Sequence, residues 1–352
     1  MDDLTQYDNL DVGKMHQLIA DLPRQCRSAW LQAQDLSLPA SYRDVRRVVV
    51  LGMGGSAIGG ALLAGLVHGR CPLPILSVAG YALPAYADSD SLVIASSYSG
   101  NTEETLAALA QAKEQGCRLL AVTTGGQLAV QAEKDGFPLL RFHYSSPPRA
   151  ALGYSFTLLL GVLQQMGFLR DDDANVEEAA AVMEAWQHDL APAAAQPDNP
   201  AKQLAVRLRG RLPVVYGAGF LSAVARRWKG QFNENAKQWA FWEEMPELNH
   251  NAVVGYGQPG PVRGRVTVLC LRSPLDHPRI QARWAATQEL LEREKVTTET
   301  VWGRGTRPLA QMLSLIHFGD YVSFYLALLN GVDPTPVEAI RWLKQRVAEK
   351  QL

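Results

Sequence analysis

Five short apolar runs, Val48 to Leu51, Pro74 to Val78, Leu92 to Ser96, Leu119 to Thr123 and Leu139 to Phe142, alternate with helical stretches from about Arg46 onward. Runs of that length bounded by turn residues read as buried strands, and strands separated by helices are the pattern of a mainly parallel sheet wrapped by helices. The predicted class is α/β. After a break the pattern restarts: Leu212-Pro213-Val214-Val215-Tyr216-Gly217-Ala218-Gly219 echoes Val49-Val50-Leu51-Gly52-Met53-Gly54, and strands are predicted at Val266 to Leu271 and Thr298 to Val301 with a helix between. Strand, G-x-G turn and helix recur in the same order, which points to two related halves.

At 352 residues the chain is long enough for two domains. The expected division is an N-terminal helical segment over 1–45, a first α/β domain with the ligand site over 46–170, a helix and linker over 171–205, and a second α/β domain with C-terminal helices over 206–352. The break rests on the acidic Asp171-Asp172-Asp173 and the Ala/Pro-rich Ala191-Pro192-Ala193-Ala194-Ala195. A net charge of −1 gives no electrostatic case for nucleic acid or an anionic membrane. The apolar runs are short, and Met1-Asp2-Asp3 is acidic where a signal peptide is basic, so the expected location is the cytoplasm. Cys26, Cys71, Cys117 and Cys270 lack C-x-x-C spacing, and the histidines show neither H-x-x-x-H nor H-E-x-x-H, so no metal site is expected.

The segment Ser97-Tyr98-Ser99-Gly100-Asn101-Thr102-Glu103-Glu104-Thr105 leaves the strand at Leu92 with three hydroxyls around a glycine, just where a helix begins. Side-chain donors and free helical N–H groups then converge on one point, which suits a phosphate held without metal or lysine. Asn101 or Thr102 is placed to cap the helix, with Glu104 or Thr105 at capping-box distance. A second turn, Gly52-Met53-Gly54-Gly55-Ser56, opens the helix predicted from Ala57 to Val67. Its Gly52-x-Gly54-x-x-Ala57 spacing satisfies a loose dinucleotide fingerprint, but the strand Ile75-Leu76-Ser77-Val78-Ala79-Gly80 lacks the acidic residue that would hold a ribose. Gly54, Gly55 and Ser56 are therefore read as a backbone approach to a small ligand, with Ser56 adding a fourth hydroxyl.

From Leu221 to Trp242 the residues Val224, Trp228, Phe232, Trp239 and Trp242 form one predicted helical stripe, with Glu234 on its flank between Asn233 and Asn235. His250 follows in a loop, between Asn249 and Asn251. Taken singly, Glu234 reads first as a solvated helix residue, and His250 equally as an ordinary loop residue; together with a phosphate site they make a proton-transfer kit. Arg149 follows Pro147-Pro148, whose pinned backbone aims its guanidinium, unless it is simply an exposed arginine near a helix start. Lys344 falls on the apolar face that Val337, Ile340, Leu343 and Val347 form on the last helix, where a lysine needs an anionic partner, a route to water or a function. His317 reads as a structural histidine on an apolar helix, and Thr335 as a cap of the last helix or a ligand contact.

Gly52 to Gly60, Ser97 to Thr105, Pro147-Pro148-Arg149, Phe232-Asn233-Glu234-Asn235-Ala236-Lys237, Pro246 to Asn251, and Asp333-Pro334-Thr335-Pro336-Val337 with Lys344 occur in an order that resembles the bifunctional phosphoglucose/phosphomannose isomerases, built from two sugar isomerase (SIS) domains. The resemblance spans nearly the whole chain. It implies an aldose–ketose isomerase that interconverts glucose 6-phosphate or mannose 6-phosphate with fructose 6-phosphate through an enediolate, without a cofactor. By the same resemblance Gly55, Ser56, Ser97, Ser99 and Thr102 hold the phosphate, Glu234 moves the proton between C1 and C2, Arg149 steadies the enediolate, and His250 and Lys344 open the sugar ring. It further implies a homodimer in which His250 comes from the neighbouring subunit. The alternative is a non-catalytic SIS protein that senses sugar phosphates, although no basic helix-turn-helix segment is apparent. An aminosugar isomerase fed by glutamine hydrolysis is disfavoured by the lack of an N-terminal cysteine.

Overall fold

The computed structural model describes residues 2, 5–170 and 172–350. Met1 and Asp3 of the acidic start, Asp171 of the acidic run, and Gln351 and Leu352 of the last expected segment lie outside the described residues. Helices α1 (Thr5–Leu10), α2 (Met15–Ala20) and α3 (Leu22–Gln34) precede the first strand. The chain then runs β1 (Arg47–Leu51), α4 (Gly55–Val67), β2 (Ile75–Val78), β3 (Ser91–Ser97), α5 (Glu103–Glu114), β4 (Arg118–Thr123), α6 (Gly126–Asp135) and β5 (Leu139–Arg141). Three helices, α7 (Leu152–Gln165), α8 (Asp173–Leu190) and α9 (Pro200–Leu208), lead to β6 (Leu212–Ala218), α10 (Ser222–Glu234), β7 (Phe241–Met245), α11 (Gly260–Arg263), β8 (Val266–Arg272), α12 (Pro278–Arg293) and β9 (Thr297–Trp302). Helices α13 (Pro308–Leu329) and α14 (Glu338–Ala348) follow.

Both sheets are parallel, with strand orders β2-β1-β3-β4-β5 and β7-β6-β8-β9. One apolar core runs from Val48 and Val50 of the first sheet through Leu62, Leu158, Ile316 and Trp228 to Val215 and Leu269 of the second, so the two sheets share the helices between them. The outer faces bury smaller clusters: Val49, Leu51 and Val93 under Leu109 and Leu128, and Val268 and Cys270 under Trp284 and Leu291. Among the described residues α13 alone is long and apolar enough to span a membrane, but 89% of its apolar window is buried inside the protein, so here it is the central core helix. The acidic and Ala/Pro-rich stretch is packed. Helix α8 buries Val176, Met183 and Trp186, and the turn after it is held by Lys202, whose ammonium donates to the Pro192 and Ala194 carbonyls at 2.8 Å each.

The helix expected over Leu221 to Trp242 is shorter. Val224, Trp228 and Phe232 are its buried stripe, but α10 stops at Glu234, Lys237 takes a left-handed conformation (φ 53°), and Phe241 to Met245 form an edge strand. Trp239, 73% exposed, belongs to no stripe.

His317 lies wholly buried on α13 against Tyr321, and neither ring nitrogen has a hydrogen-bond partner among the described residues. Burial pushes its imidazole down from 6.5 to about 4, the nearby Ile19 backbone offsetting only part of this. Between those values the unfolded chain binds the extra proton, so His317 supports folding fully above pH 6.5 and loses that support as pH falls toward 4. The loss over that window is about 3 kcal/mol, and urea titrations at several pH values should show it in the wild type and not in His317→Leu.

Candidate active site

In each half the first strand of the unit, β1 or β6, is flanked on one side by β2 or β7 and on the other by β3 or β8. The helices that follow, α4 and α5 or α10 and α12, therefore depart to opposite faces and leave a crevice at the carboxyl ends of the strands, the usual place for a ligand. Gly54 and Gly219, the second glycines of the two G-x-G turns, have φ of 53° and 51°, so the echo in sequence is an echo in backbone. With Gly52 matched to Gly217, Leu221 stands where the first half has Ser56. Strand register extends the match. Leu51 pairs with Ala95 and Tyr216 with Cys270, so Arg272 and Pro274 occupy the places of Ser97 and Ser99. At these matched positions the first crevice carries hydroxyls and the second does not.

There, Ser56 is buried at the start of α4, and the Ser97 and Thr102 hydroxyls lie 2.8 Å apart at the start of α5. The Gly100 N–H donates to Ser97 Oγ at 3.1 Å and the Asn101 N–H to Ser99 Oγ at 3.2 Å, with Ser99 itself exposed to the crevice mouth. The expected capping box is absent. Thr102 holds the cap position of α5, but its hydroxyl turns to Ser97, and Asn101 Oδ1 instead accepts from the Gln127 N–H at the start of α6. The first-turn N–H groups of α5 thus stay open beside the hydroxyls, as an anion site requires.

Contacts run without a gap from this loop to the second half. A Cβ on Gly52 would stand 3.0 Å from both Ser56 Cβ and the Ser96 carbonyl oxygen, and one on Gly55 would stand 3.0 Å from the Pro148 carbonyl oxygen. Tyr98 adds a strut, its hydroxyl donating to the Tyr144 carbonyl and accepting from the Ser146 N–H at 3.0 Å. The strut ends at Arg149. That residue is 3% exposed: Nε donates to Asn235 Oδ1 at 2.6 Å, Nη2 to the carbonyls of Pro334 at 2.6 Å and Thr335 at 2.8 Å, and Nη1 stands 3.5 Å from Glu234 Oε2. Burial holds the guanidinium below its ordinary range, and Glu234 opposes that most strongly. Arginine stays charged throughout.

Glu234 is the last residue of α10, half-buried, while its neighbour Asn235 is fully buried and donates to Ser323 Oγ at 3.0 Å. Beneath lies a buried pair: Arg227 Nη2 donates to Asp320 Oδ2 at 2.6 Å and to the Arg149 carbonyl at 3.2 Å, and Gln231 Nε2 donates to Asp320 Oδ1 at 2.9 Å. These supports were not singled out in the sequence. The signal for them is Asp320, a lone carboxylate in a long apolar helix, which needs a cation somewhere on the facing element.

His250 and Lys344 are not joined to this cluster. His250 ends a short 3-10 turn, is exposed, and makes no hydrogen bond or ion pair among the described residues. The expected apolar face of the last helix is not buried: α14 starts only at Glu338, and Ile340, Leu343 and Val347 are 42%, 56% and 52% exposed. Lys344 projects with them into solvent. Thr335 does not cap α14, whose cap position is Val337; its N–H is taken by Asp333 Oδ1 at 2.8 Å, and its hydroxyl is buried against Gly13 without a partner among the described residues. No three His, Cys, Asp or Glu side chains among the described residues gather as metal ligands.

Residues 197–347 match the family model described as the bacterial phospho-glucose isomerase C-terminal SIS domain. The chain is 41% identical to a bifunctional phosphoglucose/phosphomannose isomerase of Caldicellulosiruptor bescii over 95% of this chain and 99% of that one. It is 35% identical to a protein of the same name from Aquifex aeolicus, over 85% of this chain and 90% of that one. A crystal structure of a hypothetical protein from Thermus thermophilus superposes with a TM-score of 0.73 at 16% identity, covering 96% of this chain and 90% of that one, which supports the fold.

Gly100 has φ 67°, and a Cβ on it would lie 1.8 Å from the Gly125 carbonyl oxygen. Gly100→Ala should therefore displace the hydroxyl loop and weaken inorganic phosphate binding by roughly tenfold or more in calorimetry, with a lowered Tm. Ser99→Ala should weaken phosphate binding while leaving Tm unchanged, because among the described residues the Ser99 hydroxyl meets only the neighbouring Asn101 N–H.

Proposed function

The chain belongs to the bifunctional phosphoglucose/phosphomannose isomerase family, and from that footing we propose how its own residues carry the reaction. The protein is an aldose–ketose isomerase that interconverts glucose 6-phosphate and/or mannose 6-phosphate with fructose 6-phosphate. A purely sensing role finds no support among relatives that bear an enzyme's name. Ser56, Ser97, Ser99 and Thr102, with the backbone at Gly55, hold the phosphate. Glu234 carries a proton between C1 and C2 of the open-chain sugar.

The observation that carries this reading is the placement of Arg149 between the two. Removing a proton beside a carbonyl builds negative charge on O1 and O2, and a fixed cation in a water-poor setting lowers that barrier more than a mobile one would. Arg149 is fixed by three hydrogen bonds and stands beside the carboxylate. Phosphate anchoring at the other end of the substrate supplies binding energy remote from the reacting carbons and so helps align them. Glucose and mannose phosphates differ only at C2, so one base serves both if the open chain rotates about C2–C3.

His250 and Lys344 open the sugar ring, and we assign His250 to the site of a neighbouring copy in a homodimer. Two observations support that: the His250 side chain has no partner in its own chain among the described residues, and α14 presents Ile340, Leu343 and Val347 uncovered. The division into two SIS domains at 46–170 and 206–352, joined over 171–205, and a cytoplasmic location belong to the same reading.

Glu234→Gln should lower kcat by roughly a thousandfold and abolish deuterium exchange at C1 of fructose 6-phosphate in heavy water, with the phosphate site intact. Retained turnover would remove Glu234 from the role. A mixture of Glu234→Gln and His250→Ala chains, each inactive alone, should recover about a quarter of wild-type activity, since half the dimers are mixed and each mixed dimer has one intact site. No recovery would place His250 in its own chain's site.

A further inference from the structure

Lys237 is one of three non-glycine residues among those described with positive φ, and it sits three residues after Glu234. The other two are also lysines, Lys14 and Lys295, so the left-handed backbone alone does not mark this residue; what sets Lys237 apart is where its ammonium goes. Its ammonium folds back onto three carbonyls: Glu234 at 2.6 Å, Asn235 at 3.4 Å and Pro334 at 3.2 Å. An ammonium has three donors and no acceptor, so the set uses all of them. The Pro334 carbonyl that it meets is the one that Arg149 Nη2 also holds.

Resting on the reading of Glu234 as the base, we propose that Lys237 is the positioning residue of this active site, a cation that locks the end of the Glu234 helix to the Pro334 turn. The lock acts on both sides. The last carbonyls of α10 have no helical partner and form the negative end of its dipole, which a cation satisfies. The Pro334 turn is the root of α14, so the same ammonium fixes the base and the start of the helix that carries Lys344. Arg149 then meets Glu234 and Pro334 in one arrangement rather than in several.

The charged groups facing Lys237 are Arg149 from the turn before α7, Glu234 from the end of α10 and Asp333 from the turn before α14. Desolvation first and Arg149 second hold the ammonium down to about 8, with Asp333 and Glu234 pulling the other way. The lock is closed while the proton is present and loosens as pH rises through that value.

Wild type, Lys237→Gly and Lys237→Arg would be compared for fructose 6-phosphate isomerisation between about pH 6 and pH 10, with Tm measured for each. Glycine suits the backbone at this position, so Lys237→Gly should keep or raise Tm while kcat at neutral pH falls roughly 10- to 100-fold and KM changes less than about threefold. The fall in wild-type kcat near pH 8 should vanish in Lys237→Gly and move upward by about one unit or more in Lys237→Arg, whose charge persists. A Lys237→Gly enzyme with wild-type kcat would overturn the proposal. Should that variant not fold, an unchanged alkaline limb in Lys237→Arg does the same. Glu234→Gln measured alongside separates the two readings: activity there removes the base, whereas its loss beside a fully active Lys237→Gly removes only the lock.

Discussion

A guanidinium taken out of water without compensation carries a penalty of several kcal/mol, and the way this molecule meets that penalty at Arg149 organises the rest. Its partners are Asn235 at the end of α10 and the Pro334 and Thr335 carbonyls ahead of α14, with Glu234 as the nearest carboxylate. Every one of those groups comes from the second half of the chain, while Arg149 comes from the first. The cation is thus an intramolecular clasp between two α/β units, and Glu234, the proposed base, is among the groups gathered around it.

The two halves form similar crevices at the ends of parallel strands, but with different side chains in them. The first keeps Ser56, Ser97 and Ser99 at the switch between β1 and β3. Its counterpart puts Leu221, Arg272 and Pro274 at the matching places, and Arg272 is committed to stacking on Trp302, 4.5 Å from the ring centre. Without those hydroxyls, the second unit contributes its helix end to Arg149 instead. The carboxylate at the last position of α10 can face the first crevice because α4 and α10 pack against one another in the shared helical layer.

The strands of the first sheet were legible because parallel strands buried on both faces read as unbroken apolar runs, as Leu92 to Ala95 do. The hydroxyl loop was legible for a local reason too: three hydroxyls and a left-handed glycine fall within six residues. Strand β7 was hidden, since Phe241-Trp242-Glu243-Glu244-Met245 lies at a sheet edge with little buried alternation, and its tryptophan happens to continue the helical spacing of Trp228. Hidden as well were the pairings of Asn235 and Asp320, whose partners Arg149 and Arg227 lie 86 and 93 residues away in sequence. Helix α14 misled in the opposite sense: its apolar stripe is present, yet nothing among the described residues covers it.

The central claim is that one substrate bridges both halves, and a crystal structure with a non-reacting open-chain hexose 6-phosphate analogue would test it most directly. The phosphate oxygens are expected within hydrogen-bond reach of Ser56, Ser97, Ser99 and Thr102, with C1 and C2 beside Glu234 and their oxygens toward Arg149. A ligand whose phosphate sits in that cradle but whose C1 end turns away from Arg149 and Glu234 would contradict the account.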